Sequence, residues 1–138
     1  MYILPADITV SGIVTVGSGR PFNIVAGTDM NGDRIVNVQP DRPRRIRNDP
    51  ATSVSRNAGL LPGTSTVDLR VSKRLVLGGR AKLDLIVEMF NLLNHTNYTQ
   101  VNAVFGPDAY PDEPIDTFDQ FTKAGPPFQA QLAARLSF

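Results

Sequence analysis

Phe128-Gln129-Ala130-Gln131-Leu132-Ala133-Ala134-Arg135-Leu136-Ser137-Phe138 is the stretch on which the fold turns. Phe128, Ala130, Leu132, Ala134, Leu136 and Phe138 share one parity, and Gln129, Gln131, Ala133, Arg135 and Ser137 share the other. An unbroken period of two marks a β-strand with one apolar and one polar face. The stretch is about as long as a tilted strand needs to be to cross a bilayer, roughly 9–11 residues. It stops on an aromatic. A free chain end usually frays in polar residues, whereas a membrane-crossing strand can seat its last ring at the interface. A half-buried strand of a soluble sheet is the plainer reading of the same pattern.

Three more segments alternate. In residues 7–17, Ile8, Val10, Gly12, Val14 and Val16 oppose Asp7, Thr9, Ser11 and Thr15, with Ile13 the one departure. β-Branched residues dominate there, as a pleated surface prefers. In residues 65–77, Val67, Leu69, Val71, Leu75 and Leu77 oppose Thr66, Asp68, Arg70, Ser72 and Arg74, with Lys73 the exception. Gly78-Gly79 then predicts a minimal hairpin turn, because glycine supplies positive φ. The return, residues 81–92, sets Ala81, Leu83, Leu85, Val87 and Met89 against Lys82, Asp84 and Glu88. Ile86, Phe90 and Leu92 fall on the polar side, and Leu83, Ile86, Val87 and Phe90 would also line a helical face. The tight glycine turn favours a hairpin over a helix start, which would want a cap.

Composition narrows the classes. The 138 residues suit one domain, and a formal charge of +1 creates no field for nucleic acid. The absence of cysteine excludes disulfides, thiol nucleophiles and cysteine metal sites. No run of about 18 apolar residues exists, so a transmembrane helix is excluded while a transmembrane barrel is not. Residues 1–7 have no basic n-region, apolar h-region or small-residue cleavage site. If the strands cross a membrane, the expectation is that the chain is a piece of something longer.

Two polar connections, residues 18–64 and 93–127, carry the candidate chemistry. Asp29, Asn31 and Asp33 around Gly32 resemble the first half of a calcium loop but lack the bidentate glutamate that should follow. An Asn-Gly turn held by the two aspartates explains the same residues, and no metal or other cofactor is expected. Residues 22–26 could prolong a strand beyond a membrane edge. Arg42, Arg44, Arg45 and Arg47 form a basic cluster that could grip phosphate. A solvated run is its plainer reading, and with no interleaved aromatic a nucleic-acid interface is not expected. Asn94-His95-Thr96 and Asn97-Tyr98-Thr99 match a glycosylation sequon, meaningful only in a eukaryotic secretory context. His95 reads as a surface loop residue. No triad, phosphate loop or paired carboxylate at defined spacing is visible, so an enzyme is not expected.

The long connections alternate with the short turn, so all long ones fall at one end of the sheet. That is the asymmetry of bacterial outer-membrane barrels, and connections beyond about 12–15 residues are uncommon in compact soluble domains. The expected fold is all-β: an antiparallel up-and-down meander of about four strands with two long loops, the C-terminal part of a transmembrane β-barrel. The alternative is a soluble β-sheet module whose loops recognise carbohydrate or protein.

Several short words of the chain then come into view together. They are residues 11–13 (SGI), 19–22 (GRPF), 27–29 (GTD), 31–33 (NGD), 68–73 (DLRVSK), 88–94 (EMFNLLN), 97–99 (NYT) and 136–138 (LSF). In this order the chain resembles the C-terminal end of a TonB-dependent outer-membrane receptor, closest to the subfamily with an N-terminal carboxypeptidase-regulatory-like domain. The resemblance implies a barrel of about 22 strands with a plug, a place in the bacterial cell outer membrane, and nutrient uptake energised through the TonB complex. It implies as partners the remaining barrel and plug, outer-membrane lipid, and an assembly machinery that reads the terminal strand at Leu132, Leu136 and Phe138. Substrate would meet the loop mouth, for which Arg20, Phe22, Asp29, Asn31, Asp33, His95 and Tyr98 are the candidates. No plug or TonB box is present in these residues and four strands cannot close a barrel, so transport by this chain alone is not expected.

Overall fold

A computed structural model describes residues 2–36 and 40–138. The chain divides into two compact units, the first made of Met1–Gly17, Thr64–Asn97 and Gly125–Phe138, the second of Ser18–Gly63 and Tyr98–Ala124. No α-helix occurs among the described residues; one 3-10 turn spans Pro50–Thr52.

The first unit is one antiparallel sheet. Its strands are β1 (Tyr2–Leu4), β2 (Ile8–Gly17), β5 (Thr64–Gly78), β6 (Ala81–Phe90) and β9 (Gln129–Ser137), side by side in that order. Strands β3 (Pro21–Phe22), β4 (Gly59–Leu60), β7 (Tyr98–Val101) and β8 (Phe121–Ala124) belong to the second unit. The meander is the one that alternation predicts, with an extra short strand, β1, ahead of β2. Register lines up the apolar parity across the sheet: Val10 faces Val71, Val71 faces Val87, and Val87 faces Leu132. The neighbouring row joins Gly12, Leu69, Met89 and Ala130. This apolar face is open, with Leu132 81% exposed and Phe138 96%.

The opposite face is polar and internally paired. Arg70 lies opposite Glu88 and donates to its Oε1 at 2.9 Å, while Gln131 donates to Oε2 of the same carboxylate. Arg74 holds Asp84 in a two-pronged ion pair at 2.7 and 3.1 Å. Arg135 stands across from Asp84 on β9. Ile13 sits exposed on this face beside Asp68, so its departure from the pattern persists in the fold.

Two expectations shift by a residue or two. The hairpin turn is Gly79-Arg80 rather than Gly78-Gly79: Gly78 pairs with Ala81, after an irregularity in register at Leu77. Both glycines have positive φ, 108° and 57°. Strand β6 ends at Phe90, two residues early, because Asn91 turns to φ 47°. The helical alternative for this segment falls away, since its backbone is laddered to β5 on one side and β9 on the other.

Both short turns, Pro5-Ala6-Asp7 and Gly79-Arg80, lie at one end of the sheet. The strand ends that lead into the long connections lie at the other. Asparagines secure that far end. Asn91 accepts from the His95 N–H and donates to the carbonyls of His95 and Pro126. Asn94 accepts from the Phe128 N–H at 3.0 Å, and Asn97 clamps both backbone groups of Ser65. The sequon match at Asn97 thus reflects a buried backbone clamp.

Candidate functional site

The second unit is built from the two long connections and has its own core of Ile24, Ala26, Pro43, Val54 and Phe105, all nearly inaccessible. Phe105 lies edge-on to Phe118 and tilted against Tyr110, with centroids 5.2 and 5.1 Å away. Residues 22–26 do not continue β2. Phe22 pairs with Gly59, and Val25 bridges Val104 while donating to Ala103 O. Ile24 and Ala26 alternate inward, leaving Asn23 and Val25 on the other side, where a cleft opens.

This cleft, about 380 Å³, is lined chiefly by Asn31, Asp33, Asp41, Arg42, Arg44 and Arg56. One wall is the turn around Gly32. Asp29 is its hub: Oδ1 accepts from the N–H groups of Asn31 and Gly32, and Oδ2 from that of Arg34 at 2.7 Å. Asp33 accepts from the Ile35 N–H and the Asn31 side-chain amide, and Asp41 from the N–H groups of Met30 and Asn31. The carboxylates are organised around backbone amides, as in an Asx turn. No group of three or more His, Cys, Asp or Glu placed to hold a metal occurs among the described residues.

The Arg34 N–H above all, then those of Gly32, Asn31 and Asp33, hold the Asp29 carboxyl below its ordinary value against a desolvation that raises it. A carboxylate whose folded value is depressed contributes stability above its ordinary value and loses it as pH falls through the folded one. Amide exchange at Gly32 and Arg34 should therefore stay protected from neutral pH down through about 4, and open only below that. Asp29→Asn should remove this acid step and expose Arg34 at neutral pH, since an amide nitrogen cannot accept its N–H.

The basic cluster divides, Arg42 and Arg44 turning inward while Arg45 and Arg47 stay exposed. Arg42 turns in to donate to Val54 O at 2.6 Å, and Arg44 to Met30 O at 2.8 Å. Arg45 lies 5.6 Å from the Tyr110 ring centroid, a cation–π distance, and Arg47 pairs with Asp108. Sequence reading named Arg44 within the basic run but not as an inward-turned residue, since a run of arginines carries no sign of which side chains turn inward, and it did not single out Arg56.

Of the seven candidate residues, Asn31 and Asp33 line the cleft and Asp29 shapes it from behind. The other four lie elsewhere. Arg20 accepts from the Leu61 N–H through its carbonyl, and the Phe22 ring covers Gly59 so closely that a Cβ there would come within 2.3 Å. Tyr98 stacks on Phe121 at 3.9 Å. His95 belongs to the first unit, in the asparagine clamp.

Residues 4–131 match the model of the outer membrane beta barrel domain. The chain belongs to that family. None of the curated proteins or solved structures compared with it matches. An outer-membrane barrel domain resides in the bacterial outer membrane, so the soluble-module alternative is set aside. The apolar Val10–Leu132 face and the polar Arg70–Glu88–Gln131 face show the alternation of a barrel strand.

Proposed function

We propose that this outer-membrane barrel segment is the C-terminal wall of a TonB-dependent receptor that takes up a nutrient, with β9 as the strand that closes the barrel. The observation that carries the reading is the second unit. Its two connections are not floppy links but a packed body with an aromatic core and a polar cleft, suited to a substrate mouth. The words GRPF, NGD and FNLLN that resemble the receptors fall at β3, at the cleft wall and at the asparagine clamp, so each has a structural duty.

The open sheet supports the same reading. β9 is paired on one side, to β6, and β2 beyond Val10 is paired only to β5. Unpaired backbone groups are costly in lipid, so further strands must complete both edges. In this reading the remaining barrel supplies them, a plug meets the polar face, and assembly machinery recognises Leu132, Leu136 and Phe138. Catalysis has no part in it.

The test is cross-linking in cells. The polypeptide that carries this segment should give a formaldehyde adduct with TonB, lost when TonB is deleted. A mature outer-membrane polypeptide with no plug and no adduct would sink the receptor reading while leaving the barrel intact.

A further inference from the structure

The cleft of the second unit holds cations that nothing in the fold neutralises. Arg44 is only 9% exposed, and among the described residues its guanidinium donates to Met30 O alone. Among the described residues, no carboxylate oxygen lies within 4.0 Å of the guanidinium nitrogens of Arg42, Arg44 or Arg56. Arg42 donates to one carbonyl, and Arg56 makes no hydrogen bond among the described residues. A guanidinium has five N–H donors, and since no buried side-chain nitrogen among the described residues lacks a partner, the donors of this cleft without a protein acceptor are open to solvent. Three guanidiniums gathered in one cleft with no ion-pair partner among the described residues make a local positive field that an anion would offset.

The two carboxylates of the cleft do not serve. Asp33 already accepts at both oxygens, from Ile35 and Asn31, and Asp41 accepts two backbone N–H groups. Three guanidiniums against two carboxylates leave the lining net positive. A small cation meets repulsion there. A planar or tetrahedral group with two or three charged oxygens meets paired N–H donors at matching spacing.

We propose that this cleft is an oxyanion subsite, taking the carboxylate or phosphate group of a small solute, with Arg44 as the buried anchor and Arg56 as the outer contact. Its role in uptake rests on the receptor reading above; its chemistry does not. A volume of about 380 Å³ holds a group the size of citrate with room to spare.

The experiment is calorimetric titration of sodium citrate and of inorganic phosphate into the full polypeptide carrying this segment, purified in detergent at low salt. Arg56→Gln is the informative variant, because its side chain holds no protein partner and its loss leaves the fold intact. At least one probe should bind the wild type, and Arg56→Gln should weaken it about ten-fold, the worth of one charge-assisted hydrogen bond. Arg44→Lys should also weaken it, since a point charge replaces a fork. Affinity should fall with added salt. Competition by purified lipopolysaccharide would identify the phosphate source as a lipid headgroup and overturn the solute assignment. Absence of binding by either probe at millimolar concentration, or equal binding by wild type and Arg56→Gln, would overturn the subsite itself. Because the titration contains no TonB, its failure leaves the cross-linking result standing, and the reverse also holds.

Discussion

Phe105→Ala should open the second unit, at a cost of about 3–5 kcal/mol, the range for removing a buried aromatic side chain. Phe105 is 1% exposed and is the ring on which Tyr110 and Phe118 both pack. Its backbone is also a junction, donating to Val25 O and accepting from Ile115. The side chain's loss leaves a cavity between segments from both long connections. Hydrogen exchange should rise in residues 18–63 and 98–124 together. Exchange in β2, β5, β6 and β9 is the internal control. A rise confined to residues near 105 would mean that the two connections do not share one core, and the account of the cleft would fall with it.

Leu132→Arg should destabilise the assembled barrel by roughly 2–4 kcal/mol, the cost of a basic side chain on a lipid-facing strand near the bilayer midplane. Leu132 ends the row Val10–Val71–Val87 and projects openly from the apolar face. One residue earlier, Gln131 points to the other face and donates to Glu88. Gln131→Arg keeps a donor beside that carboxylate and should stay within about 0.5 kcal/mol of wild type. Denaturant unfolding of the full polypeptide in lipid vesicles measures both. Equal tolerance at 131 and 132 would remove the assignment of lipid to this face. Lys73 is the natural counter-example on the apolar parity, and its long stem can carry the ammonium toward the interface.

Much of the sheet was legible because parity is a local property. Each side chain of residues 128–138 shows its face through its own neighbours in the chain, and register then follows from matching apolar faces. The long connections and the glycine turn added direction, so an antiparallel meander with one busy end needed no tertiary information. β1 escaped because three residues are too few to display a period, and β7 and β8 because their pairing spans a loop.

The cleft was a different matter. Asp29, Asn31 and Asp33 stood out because an Asx turn is made within five residues. Arg56 did not, nor did the inward turn of Arg44 or the clamps at Asn91 and Asn97. Whether Arg44 is a solvated charge or a buried anchor depends on Met30, fourteen residues away, and Asn97 reads as a sequon until Ser65, thirty-two residues away, meets it. Sequence alone determined which face each strand shows, since that is set by alternation along one backbone. Tertiary structure decided which polar side chains turn inward, since their burial is tolerable only where a distant backbone supplies the hydrogen bond.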